Sequence, residues 1–228
     1  SDGSNARGIP EDPLESASAF VGGNARTTGE EPFEIRRTIA IIQRAALVRW
    51  AEKSGLTVSP SLWEGKAVVG GSEHDIWEMD GEVWKVTRPD RFGWTVLPGE
   101  DGVPHIAEAT PLEYLERWQN ANRLLGDNAI LRGVSETDEG VQVVISHPFI
   151  EGPYPEKRDI IDELCKRGFI LVPKFFIGSE SDSSFYNEAK RIGIFDATCD
   201  NFILSQGVPI PVDVVIVEVG PLLRLQLL

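Results

Sequence analysis

The apolar positions of this chain change their period along its length, and each change marks a segment. Residues 1–30 are rich in Ser, Gly, Asn, Glu and Pro with no sustained period, which predicts a flexible arm. Over 31–56 the spacing turns helical. Phe33, Ile35, Ile39, Ile41, Ile42, Ala45, Ala46 and Val48 make a broad apolar stripe, and Gly55 is a good stop. This predicts an amphipathic helix packed on the domain that follows, with partner binding or autoinhibition as the sharper reading.

The period then falls to two. Residues 76–79 and 82–87 flank Asp80 and Gly81, a strong hairpin signal. Thr110, Pro111 and Glu113 have the marks of a capped helix start, and that helix runs to Leu125 and stops at Gly126. Residues 129–131 and 141–146 read as strands around a turn, and 155–167 as a helix ending at Gly168. The short apolar runs 169–172, 175–177, 184–186 and 192–195 follow. Two last runs, joined by Ser205, Gln206 and Gly207, read as a second hairpin.

Carboxylate and amide side chains lie at the mouth of that hairpin: Asp196, Asn201 five residues on, and Asp213 twelve further. A phosphoryl group leaving ATP needs a carboxylate near the incoming hydroxyl and oxygen ligands for Mg²⁺, and this spacing supplies both. Upstream, Gly70, Gly71 and Ser72 interrupt an apolar run where bare backbone N–H groups could approach a phosphate. Lys85 shares a strand face with Val83 and Thr87, and a lysine facing inward there needs an anionic partner. On the helix, Glu113 and Glu116 are each able to reach it. Glu113 already serves in the cap, so Glu116 is the favoured partner.

Taken in order, these parts resemble the protein-kinase family. Asp196 and Asn201 fall on the Asp and Asn of its H-R-D-x-x-x-x-N loop, Asp213 on the Asp of D-F-G, and Lys85 on the Lys of V-A-I-K. The chain departs from the pattern at Gly193, Ile194 and Phe195, at Ala197 and Thr198, and at Val214 and Val215. It resembles in particular the small kinase-like domain of bacterial and phage polyvalent proteins, through Pro111-x-x-Tyr114-Leu115-Glu116-Arg117, Ser146-x-Pro148-Phe149-Ile150-x-Gly152, 166–169 and 211–216. The resemblance covers residues 65–217. It implies an α+β, bilobal protein-kinase-like fold with a five-stranded antiparallel small-lobe sheet over 57–147 and a reduced C-terminal lobe over 148–228. It also implies that Ile145 guards the back of an adenine pocket and that Ser146, His147 and Phe149 form its hinge. Pro148 has no N–H to give, so Phe149 or a neighbour would be the donor to adenine.

Composition narrows the partners. With 228 residues and 41% hydrophobic content the chain can build an ample core, and its formal charge of −14 argues against nucleic acid or an anionic membrane. An acidic protein that takes ATP depends the more on Mg²⁺ and on Lys85. Cys165 and Cys199 are too few for a disulfide scaffold, and no leader or 18-residue apolar run occurs, so a cytoplasmic protein is expected. Fifteen residues follow Asp213, too few here for an activation segment or a platform for a protein substrate. The expected function is therefore an ATP- and Mg²⁺-dependent phosphotransferase acting on an unknown protein or small-molecule hydroxyl. The alternative is a kinase-like module without catalysis that works by contact within a larger polypeptide.

Overall fold

The computed structural model describes residues 11–66, 69–173, 175 and 182–228. The start of the expected arm, residues 67–68 of the glycine-rich run, residues 176–177 of one apolar run and most of the polar stretch 178–184 lie outside them.

In chain order the elements are α1 (Pro13–Gly22), α2 (Phe33–Ser54), β1 (Val69–Gly70), β2 (His74–Met79), β3 (Glu82–Thr87), β4 (Trp94–Leu97), β5 (His105–Glu108), α3 (Pro111–Leu125), β6 (Ile130–Thr137), β7 (Gly140–Pro148), α4 (Lys157–Lys166), β8 (Ile170–Val172), β9 (Ser184–Asn187), β10 (Ile192–Phe195), β11 (Phe202–Ser205), β12 (Val208–Pro211), β13 (Val215–Glu218) and α5 (Pro221–Leu227). The local signals fall where their chemistry puts them. Asp80 and Gly81 both take positive φ in the β2–β3 turn, as a tight hairpin of matching twist requires. Thr110 and Glu113 close a full capping box on α3, and Gly126 ends the helix in the left-handed region.

The chain is a mixed α+β fold of antiparallel sheets, with no barrel among the described residues. A five-stranded sheet has the order β1-β2-β3-β7-β6, and a four-stranded sheet the order β13-β10-β9-β8. β4 pairs with β5, and β11 with β12, as separate ribbons. The sequence led us to expect only the first sheet and the last hairpin as sheets. The four-stranded sheet forms because β10, flanked by β9 and β13, is buried along its whole length and pairs on both edges.

One core joins α1, α2 and α3 to the inner face of the larger sheet, with Leu131, Val143 and Ile145, and continues to Ile194 and Ile216 of the smaller one. The outer face of the larger sheet is covered by Trp63, which packs on Trp77 and Val86. Along β6, Gly133 is needed for close approach: a Cβ there would lie 2.5 Å from Val58 Cγ1 and 2.7 Å from the Leu56 carbonyl.

Two expectations need correction. The segment expected to be a flexible arm contains α1, capped by Asp12 and holding Leu14, Ala17 and Val21 in the core. Its apolar residues sit one helical turn apart in a stretch otherwise dominated by small polar residues, which hides the period. In α2 the buried face shares only Ala46 with the stripe read from the sequence, Ile39 and Val48 being half-buried. Phe33 and Ile35 are 75% and 51% exposed, Ile41 and Ile42 also face solvent, and Arg36, Gln43, Leu47 and Trp50 are buried instead. Specific partners outweigh hydrophobicity here: Arg36 pairs with Glu113, and Gln43 spans from the Ala25 carbonyl to the Leu112 N–H. No helix among the described residues is long and apolar enough to cross a membrane.

Candidate functional site

Lys85 and Asp213, singled out far apart in the chain, meet. Lys85, in the middle of β3 and opposite Ile145 of β7, is 3% exposed. Its ammonium donates to the Val212 carbonyl at 2.7 Å and to Asp213 Oδ1 at 3.2 Å. The Val212 N–H in turn donates to the Asn201 carbonyl at 2.9 Å, because Phe202 and Pro211 open the β11–β12 ladder just beyond. Asn201 Nδ2 donates to the Asp196 carbonyl at 2.8 Å and to Asp196 Oδ2 at 3.0 Å. One run of contacts therefore links Lys85, Asp213, Asn201 and Asp196.

Each position has a local cause. Asp196 follows β10 with φ of 55°, a backbone that Asp tolerates better than most residues, and this turns the chain toward Asn201. Asp213 lies between β12 and β13, where the chain leaves one sheet for the other. Burial, then the Asp182 carboxylate, raises the Asp196 pKa to about 6. For Asp213 burial acts upward too, but the Lys85 and Arg117 charges win and hold it well below the usual carboxylate range.

Helix α3 contributes differently from the expectation. Glu116 pairs with Arg26 at 3.0 Å, and Glu113 pairs with Arg36 while closing the cap, so neither carboxylate is the partner of Lys85. Both sit on a face of α3 turned from β3. The face that meets the lysine carries Arg117 and Trp118. The Lys85 ammonium lies 5.0 Å from the Trp118 ring centroid, and Arg117 bonds Glu73 at 2.8 Å, Asp213 at 3.2 Å and the Val214 carbonyl at 2.8 Å. Nearby, His74 Nε2 is 3.0 Å from the Tyr114 hydroxyl, and burial pushes the His74 pKa down to about 3. The sequence reading gave no role to Arg117, Glu73, His74 or Trp118. The available signal was the spacing Tyr114, Arg117, Trp118, Ala121, which puts an arginine inside the apolar stripe of α3.

The expected adenine contacts are in part used by the fold itself. Ile145 is fully buried in the core, and Ser146 Oγ accepts from Arg132 at 2.7 Å. His147 Nδ1 lies 3.1 Å from Asp127, both nearly inaccessible. The Phe149 N–H, expected with its neighbours as a donor to adenine, donates instead to the Gly81 carbonyl at 2.9 Å. Gly70 ends β1, and the Gly71 N–H donates to the His74 carbonyl at 2.9 Å, so Gly70, Gly71 and Ser72 lead into the tight β1–β2 turn. Arg88 Nη2 reaches the Gly71 carbonyl at 3.3 Å.

The second oxygen of Asp213 and the amide oxygen of Asn201 have no protein partner among the described residues, and the Asp213 side chain is 34% exposed. Glu73, His74 and Asp213 also cluster, but the Arg117 guanidinium bonds both carboxylates, which disfavours an ion among those three. The cavity beside Asp213, lined by Trp118, Asp127 and Val212, holds about 10 Å³. A larger one of about 460 Å³ lies against Glu116, Asn120 and Arg123 on another face of α3, away from Lys85. Comparison with protein-family models, curated proteins and solved structures found no match.

Proposed function

We propose that the chain is a kinase-like domain that binds Mg²⁺ and ATP and transfers a phosphoryl group to a hydroxyl acceptor. The observation that carries this reading is the approach of Lys85 to Asp213, 3.2 Å apart across 128 residues of chain. The larger sheet, with α3 inserted between its third strand and its last two, and the separate C-terminal sheet support a bilobal kinase-like arrangement. Within it, Lys85 binds phosphate oxygens, Asp213 and Asn201 hold Mg²⁺, and Asp196 orients the acceptor hydroxyl and takes its proton. The nucleotide, when bound, supplies the phosphoryl group, and the ion neutralises its charge.

A second reading, a contact module without catalysis inside a larger polypeptide, is favoured by the pairing of Asp213 with two cations and by the engaged Phe149 N–H. Melting curves with and without Mg²⁺ and ATP separate the two. The phosphotransferase reading expects a rise that Asp213→Ala abolishes, and label transferred from γ-labelled but not α-labelled ATP. A wild-type curve unmoved by nucleotide rejects it in favour of the contact module.

A further inference from the structure

Arg117 is 3% exposed and all three of its bonded directions are assigned. Nε donates to the Val214 carbonyl at 2.8 Å and Nη1 to Glu73 Oε2 at 2.8 Å, which leaves Nη2 to meet Asp213 Oδ1 at 3.2 Å. Glu73 is fixed in turn. Its Oε1 accepts from the Trp94 N–H at 2.9 Å, and it packs so closely on Gly93 that a Cβ there would lie 3.0 Å from its carboxyl group. The guanidinium plane is therefore set by the fold before it touches Asp213. Lys85, whose ammonium is also held by the Val212 carbonyl at 2.7 Å, approaches the same oxygen, but a tetrahedral ammonium imposes less direction on a carboxylate than a planar guanidinium. The planar fork of Arg117, fixed by Glu73 and tied also to the next residue's carbonyl, brings its Nη2–H to Oδ1 along one set direction.

We propose that Arg117 is the positioning residue that holds Asp213 by Oδ1 and so presents Oδ2 to the divalent cation. This rests on the reading of Asp213 as a metal ligand. A mere counter-charge would act in the opposite sense, since a cation beside a carboxylate repels a second cation. That difference makes the role testable.

Mn²⁺ without nucleotide is the probe, its free concentration read by electron paramagnetic resonance on the full chain, and only the binding lost in Asp213→Asn is counted. Positioning predicts that Arg117→Gln and Arg117→Lys both weaken that binding by about 10- to 100-fold, the usual effect of losing a group that orients a ligand. Arg117→Lys, which keeps the charge and removes the planar fork, keeps the test open if Arg117→Gln fails to fold. Tighter binding in Arg117→Gln with wild-type binding in Arg117→Lys makes Arg117 a counter-charge and overturns the proposal. So does unchanged binding in both variants. A wild-type protein with no Asp213-dependent binding rejects the metal site itself, and the positioning role with it. A crystal structure of Arg117→Lys with the Asp213 carboxylate unturned overturns the proposal whatever the metal result.

Discussion

The Lys85 ammonium and Asp213 Oδ1 lie 3.2 Å apart, and Asp213 shares that one oxygen with Arg117. The arrangement is lopsided, two buried cations on one carboxylate, and so are the consequences of breaking it. Asp213→Ala leaves the buried Lys85 without a carboxylate and Arg117 with Glu73 alone, and should cost about 3 kcal/mol of stability, whereas Lys85→Met leaves the carboxylate with Arg117 and should cost about 1 kcal/mol. Urea unfolding of the two variants checks the order. A Lys85→Met loss as large as that of Asp213→Ala would contradict it.

The N-terminal helix belongs to the core. Leu14 is 2% exposed and Val21 fully buried, and the Trp50 indole N–H donates to Ser16 Oγ at 3.1 Å. Leu14→Ala should therefore destabilise the fold by about 2–4 kcal/mol, as expected for a buried leucine. A loss below about 0.5 kcal/mol in chemical denaturation would return this segment to the status of an arm.

Glu116 gives stability a pH dependence of unusual sign for a carboxylate. Burial, then the Glu218 carboxylate, raises its pKa to about 7 from an ordinary 4.5, against the pull of Arg26. Between those values the folded state keeps a proton that the unfolded chain has lost, so stability falls as pH rises from about 4.5 to 7. Melting temperatures of wild type and Glu116→Gln across that window should show the decline flattened in the variant. Parallel curves would mean that the side chain ionises as in water.

Burial likewise raises the Asp196 pKa, to about 6, and the Asn201 amide restrains it by donating to the carboxylate form at 3.0 Å. Asn201→Ala removes that donor. The Asp196 midpoint, followed by carboxyl ¹³C resonances, should then move above about 6. A midpoint near 3.8 in either protein would show the carboxylate to be solvated.

Local chemistry was legible wherever a few adjacent residues decide the outcome. Asp80 and Gly81 make a hairpin because their backbones accept positive φ, and Thr110 with Glu113 starts a helix because together they satisfy its free N–H groups. The order of Lys85, α3, Asp196, Asn201 and Asp213 was legible too, since each is a residue type whose chemistry the surrounding apolar runs make conspicuous. Partner choice was not. Glu116 and Arg117 are neighbours in sequence, yet one turns to Arg26 and the other to Asp213, because a helix sends adjacent side chains about 100° apart and only packing decides which face meets β3. The same holds in α2, where Arg36 and Gln43 take the inner face and Ile41 and Ile42 the outer. Hydrophobic periodicity measures the average cost of exposing a face, whereas the tertiary structure can reverse it with a few buried hydrogen bonds from residues far away in the chain.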